Sequence, residues 1–214
     1  MDAPKVSSTK VADAGTVDAK TPRTERGRRT LRKLLDVAAI EFGEKGFHEA
    51  SVSSITRRAG VALGTFYTYF ESKDALFRAL VNDMSENVKS SARSALDDDM
   101  DGFEIERVAL RAFLEFAREH KEIYRIIDEA EFVDPASYRA HYEGIAERIE
   151  MRLKAGSDSG EFRKDLGETE AWALMGMNVF IGLKYAVWAE GNSDLDDVAK
   201  RTNKLLAEGI KSKD

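Results

Sequence analysis

Apolar side chains recur at steps of three and four residues along most of this chain, the spacing of one face of an α-helix. Leu31, Leu34, Leu35, Ala38 and Phe42 form the first stripe, and Gly46 stands where a helix C-cap wants glycine, which predicts a helix over about 25–45. Gly27 weakens a helix interior by about 1 kcal/mol and sets the regular part just after it. Ser51 or Ser53 can cap a short helix with Val52, Ile55 and Ala59 on its inner face, and Gly60 then supplies a turn. A second short helix follows directly, near 63–70. Ser72 caps a longer one carrying Leu76, Phe77, Leu80, Met84 and Val88, which fades in the polar stretch SARSALDDDMDG.

Beyond that stretch, Phe103 to His120 shows Val108, Ala112, Phe113 and Phe116 on one stripe, and Glu122 to Glu131 carries Ile123, Tyr124, Ile126 and Ile127. Asp134 before Pro135 marks a helix start, because aspartate caps and proline loses no hydrogen bond at the first helical position. That helix is expected to reach about Lys154 and give way to a loop at AGSDSGEF. Glu168 to Glu190 is apolar on most faces, and a last helix opens near Asp194 and runs to about Lys211. With no strand-like alternation, the fold class is all-α, with about nine helices. The expected organisation is a flexible tail over 1–22, a three-helix helix-turn-helix domain over 23–80 and a larger helical domain over 81–214.

Two short helices joined at Gly60, the second starting within three residues, have the spacing of a helix-turn-helix. In such a unit the first helix braces and the second enters the major groove, so residues 63–70 are the reading head. Phe66 and Phe70, four apart, share a face and form its buried stripe. Thr65, Tyr67, Thr68 and Tyr69 project elsewhere, and their hydroxyls suit phosphate oxygens and base edges.

Composition narrows the function classes. At 214 residues and 43% hydrophobic the chain has material for a real core. Cysteine is absent and no apolar run approaches the roughly 18 to 20 residues of a membrane span, so disulfide, thiol and transmembrane readings drop out and the cytoplasm is the default compartment. The segment MDAPKVSSTKVADAGTVDAKTP lacks the continuous apolar centre of a signal peptide. A net charge of -6 hides an asymmetry: residues 1–78 carry a balance of +4 and residues 79–214 one of -10. A basic module that meets phosphate, joined to an acidic one that does not, fits this split; ordinary variation in surface charge is the plainer account.

The segment ITRRAGVALGTFYTYFESKDALFRAL resembles the DNA-binding domain of the TetR (tetracycline-repressor-type) regulators over about 25–80, with Ala59-Gly60-Val61, Gly64-Thr65-Phe66-Tyr67, Tyr69-Phe70, Lys73 and Leu76 at the family spacing. The resemblance implies that Thr65, Tyr67 and Tyr69, and Lys73 as a phosphate contact, touch double-stranded operator DNA. Thr68, Ser53 and Arg28 join them as candidates. Arg28 belongs to a cluster with Arg23, Arg26, Arg29 and Arg32, for which phosphate contact and plain solvation both stay open, as they do for Arg57 and Arg58.

The resemblance further implies a homodimer through the last two helices and an effector pocket in the larger domain. Independently, the 168–190 helix is too apolar for one facing water, and Gly176 and Gly182 permit close helix approach. Pocket candidates are Phe113, Phe116, Tyr124, Ile127, Tyr138, Tyr142, Trp172, Met175 and Phe180, with Phe132, Met177 and Tyr185 behind them. So many aromatic and methionine side chains fit a small, largely apolar effector, and EAEFVDPASYRAHYEGIAER has a likeness to family members that answer fatty acyl compounds. The whole describes a DNA-binding regulator, a repressor that its effector releases. A regulator without a small-molecule effector is the first alternative, and an all-α enzyme a distant second. Asp97 to Gly102 begins like a calcium loop, but Val108 occupies the twelfth position where a bidentate glutamate belongs. His48, His120 and His141 are scattered and form no catalytic constellation, so no cofactor, metal or enzymatic activity is expected.

Overall fold

The computed structural model of the protein describes residues 22–191 and 193–210; the tail expected over 1–22 falls outside them save for Pro22. Nine α-helices are found among the described residues: α1 (Glu25–Glu49), α2 (Val52–Ala59), α3 (Leu63–Tyr69), α4 (Lys73–Ala95), α5 (Gly102–Glu119), α6 (Glu122–Val133), α7 (Pro135–Ser159), α8 (Glu168–Gly182) and α9 (Leu195–Ile210).

Short polar side chains start many of these helices by satisfying their first free N–H groups. Thr24 accepts from Gly27 at the head of α1, so the helix begins before Gly27 rather than after it. Ser51, not Ser53, caps α2, in a reciprocal box with Ser54. Ser72 caps α4, and Asp101 caps α5 by accepting from the Glu104 N–H, which gives an acid of the calcium-like stretch a structural task. At Gly46 the backbone turns to φ 81°, where a side chain is strained, so the regular part of α1 stops there and a last short turn follows.

Two boundaries and one cap differ from expectation. The helix α7 continues through Gly156 to Ser159 because the Phe162 ring seats directly against Gly156, where a Cβ would collide; left-handed Gly160 then ends it. Asp134 does not cap α7 with its side chain but accepts from the Ser137 hydroxyl at 2.6 Å. The helix after Gly167 ends at Gly182 and widens into a π-helical turn, Leu183–Val187.

The largest core joins Leu34, Phe42, Phe66, Phe70, Leu76, Phe77 and Leu80 to Ile123, Ile126 and Ile127 of α6. A division at 80/81 therefore lies inside α4, whose first half belongs to the helix-turn-helix and whose second half runs into the larger bundle. Two smaller cores follow, one of α7 and α8 around Leu153, Phe162 and Leu174, the other of α5 and α9 around Leu114 and Ala199.

Candidate nucleic-acid interface and effector cavity

Gly60 occupies the left-handed region at φ 62°, ψ 36°, and this single residue turns the chain from α2 into α3. Phe66 and Phe70 are fully buried, so the opposite side of α3 faces out. Tyr67 is 51% exposed and Thr68 is exposed, its hydroxyl donating to the Gly64 carbonyl at 3.2 Å. Thr65 and Tyr69 are half-buried. Leu63 opens the same helix at 48% exposure. Ser53 is exposed on α2, and Arg28 is exposed near the start of α1, paired at 2.9 Å with Glu25, which also holds Arg29.

Lys73 is placed differently from the free phosphate donor that the resemblance implies. Its ammonium donates to the carbonyls of Phe47 (2.6 Å), Ala50 (2.9 Å) and, more weakly, His48 (3.4 Å), and lies 4.3 Å from the centre of the Phe47 ring. The cause is the break at Gly46: a helix end leaves carbonyls without partners, and the first residue of α4 supplies three donors to them. Arg58 is likewise committed, bidentate to Glu44 at 2.7 and 2.9 Å and bonded to Glu41 at 2.9 Å. Glu41 is buried, yet hydrogen bonds from Lys45, Ser54 and Arg58 outweigh desolvation and hold its carboxyl down at about 2. This ionic knot locks α2 to α1 and fixes the angle at which α3 is presented. Arg57 stays exposed and, among the described residues, makes no ion pair.

In the larger bundle two cavities adjoin. One, partly open to the surface, holds about 80 Å³ between Val88, Lys89, Phe113, Ile145, Arg148, Met175, Asn178 and their neighbours. The other, about 30 Å³, lies between Ile123, Tyr124, Ile127, His141 and Tyr142. Val88, Phe113, Ile145 and Val179 wall both. Of the expected pocket residues, Phe113, Tyr124, Ile127, Tyr142 and Met175 meet here. Phe116 instead lies beside the His120 ring, Tyr138 packs edge-on against Tyr142, and Trp172 (39% exposed) and Phe180 (72%) look outward. Sequence periodicity gives each helix an apolar face but not which part of that face borders space, so Arg148, Asn178 and His141 went unforeseen. Burial pushes the phenols of Tyr124 and Tyr142 up and His141 down to about 4, with the charge of Arg148 adding to the latter. The Tyr124 hydroxyl donates to the Val179 carbonyl at 2.8 Å, and Gly182 is required beneath it, since a Cβ there would strike both that hydroxyl and the Phe113 ring.

The cavity and the helix-turn-helix share two helices. On α6, which carries Ile123, Tyr124 and Ile127 into the cavity wall, Arg125 donates to the carbonyls of Gly43 (3.0 Å) and Glu44 (3.1 Å), and Glu129 accepts the Phe47 N–H at 2.6 Å. On α4, Val88 lines the cavity while Lys73 holds the end of α1. Among the described residues no helix is long and apolar enough to cross a membrane.

Known proteins agree with this arrangement. Residues 34–80 match the family described as bacterial regulatory proteins, tetR family. The HTH-type transcriptional regulator YdgC of Bacillus subtilis is 33% identical over 159 residues, which span 71% of this chain and 78% of YdgC. The HTH-type transcriptional activator FasR of Mycolicibacterium smegmatis is 35% identical over 140 residues, 65% of this chain and 59% of FasR. The solved structure of the fatty acid degradation regulator FadR from Bacillus halodurans has the same fold, with a TM-score of 0.73 at 21% identity over 87% of this chain and 96% of that one. Helix-turn-helix geometry and relatives converge: the chain belongs to the TetR family of transcriptional regulators, DNA-binding proteins rather than enzymes.

Proposed function

We propose that the protein is a homodimeric repressor that holds a pseudo-palindromic operator and is released by a small, largely apolar effector of the fatty-acyl type. Thr65, Tyr67, Thr68 and Tyr69 read or brace the major groove, and Ser53, Arg57 and Arg28 meet the backbone. Phe180 on α8, Trp188 just after the π-helical turn and Leu205 on α9, 72%, 64% and 63% exposed, supply the apolar surface on which two copies pair. A two-fold dimer then sets its reading heads roughly 34 to 36 Å apart, one turn of DNA.

The observation that carries the effector half is the size of the cavity together with its walls. A space of about 80 Å³ holds a few waters, whereas ligand pockets run to roughly 300–1,000 Å³. An effector seated in this cavity must therefore spread the helices around it. Two of those helices, α4 and α6, are bonded to the end of α1 through Lys73, Arg125 and Glu129, so the spread conformation carries the helix-turn-helix with it. An effector that binds only the spread form shifts the population away from the spacing that fits the operator.

The test is selection of bound duplexes from a random pool, then titration of the selected DNA at two salt concentrations. A pseudo-palindrome bound with steep salt dependence is the expected outcome. Recovery of no motif sinks operator recognition. A selected operator that no apolar compound releases leaves a regulator without an effector.

A further inference from the structure

The polar residues of the cavity are unevenly distributed. Its larger part is lined by three cations, Lys89, Arg148 and Arg152, and by no acidic side chain. Two of the three are already matched. Arg152 is bidentate to buried Glu106 at 2.5 and 3.1 Å, and Lys89 lies 3.2 Å from both carboxylate oxygens of Glu86. Arg148 makes no ion pair among the described residues. Glu86 and Glu147 are the acids close enough to act on it through space, and both are exposed. Burial and then the charge of Arg152 draw its pKa down, the mark of a cation without a counter-charge. The carboxamide of Asn178 lines the same space, and its buried Oδ1, an acceptor without a partner, calls for a donor and not for an anion. A half-buried guanidinium without an ion pair thus faces a space whose other cations are already matched and whose remaining walls are mostly apolar. The far end of the joined cavities has no such charge: His141 is held neutral, its Nδ1 2.7 Å from the Ser85 hydroxyl, and Tyr124 and Tyr142 stay protonated.

We infer that the effector is an amphiphile with a single negative charge, its carboxylate seated on Arg148 and its apolar tail directed past Phe113 and Ile145 toward Tyr124 and Tyr142. This rests on the effector reading above and makes it specific. One unmatched cation balances one charge, which favours a monocarboxylate over a doubly charged phosphate. Guanidinium takes a carboxylate through two parallel hydrogen bonds, so the head is fixed in orientation as well as charge.

The experiment compares decanoate with 1-decanol, equal tails with and without the charge, on the full-length protein by isothermal titration calorimetry, with octanoate, dodecanoate and their alcohols alongside. Decanoate is expected to bind about tenfold or more tighter than the alcohol. Arg148→Ala should erase that preference while leaving alcohol binding in place, and Arg148→Lys should keep part of it. Equal binding of acid and alcohol, binding of neither series, or a preference that survives Arg148→Ala overturns the proposal. Should Arg148→Ala fail to fold, Arg148→Gln makes the same comparison. DNA release, measured separately, tells the two readings apart. A carboxylate that binds through Arg148 but leaves operator affinity unchanged refutes release, while release by neutral compounds alone, unaffected by Arg148→Ala, refutes the anionic head.

Discussion

The buried phenylalanines of the first four helices meet one another, whereas several aromatic side chains of the later helices border space. Phe42, Phe47 and Phe77 stand with ring centres 5.0 to 5.8 Å apart, and Phe66 and Phe70 are 5.6 Å apart, all of them buried. Phe113, Tyr124 and Tyr142 instead border a cavity, and Phe180 and Trp188 face outward. The first region needs no further molecule to complete its core, and rigidity is what a reading head requires. The second is unfinished in three respects, with free volume, a charge without an ion pair and large apolar side chains left exposed. Under the proposed function a ligand and a second copy complete it.

The same truncation in the two regions should have different consequences. Phe77→Ala removes a ring packed on two others and is expected to cost about 3 to 5 kcal/mol in urea unfolding, while Phe113→Ala, beside existing space, costs less. Equal losses would mean that the second region is as tightly packed as the first. Phe180→Glu places a charge on the uncovered face and should weaken self-association by about 2 to 4 kcal/mol, seen as monomers in sedimentation, with helix content kept. A dimer of unchanged strength would move the interface elsewhere.

Within the first region, Glu41→Gln breaks the knot between α1 and α2. A loss of about 2 to 3 kcal/mol is expected, below that of a fully enclosed pair because Lys45 and Arg58 are partly exposed. The folded-state pKa of Glu41 lies below its ordinary value of 4.5, so its stabilisation is complete above that pH and is lost as pH falls toward about 2. Unfolding measured across that window should show a steep acid limb in the natural protein and a shallower one in the variant; identical limbs would remove Glu41 from the account. Tyr67→Ala removes a half-exposed ring that meets the core only at the edge of Phe66, and it should lower operator affinity by about 1 to 3 kcal/mol with the dimer intact; unchanged binding would remove Tyr67 from the interface.

What could be read from the sequence follows the same division. Gly60, the Phe66 and Phe70 stripe and the outward Tyr67 were legible because a helix-turn-helix is local: its turn, its period and its caps lie within about twenty residues. Lys73 was not, because its partners are carbonyls at Phe47 and Ala50, exposed by a break in another helix. In the second region aromatic content pointed to a pocket, yet Trp172 and Phe180 share a helix with Met175 and face away from the cavity it lines. Arg148 reads as one more surface arginine on a charged helix until Ile145, Ile149 and Met175 are seen around it.

The smallest expected effect lies at the seam between the two regions. Arg125 and Glu129 neither line the cavity nor lie on the reading helix, and Arg125 is exposed. Their only evident task is to bind α6 to the carbonyls of Gly43 and Glu44 and to the Phe47 N–H. If a spread cavity moves the helix-turn-helix through α6, then Arg125→Ala with Glu129→Gln should leave effector affinity and operator affinity, each measured alone, nearly as they were. The effector's ability to lower operator affinity should fall, by about 0.5 to 2 kcal/mol of coupling. Coupling is reciprocal, so operator DNA should weaken effector binding less in the double variant by the same amount, a second measurement of one quantity. Undiminished coupling in both directions would place the transmission in α4 and Lys73 alone.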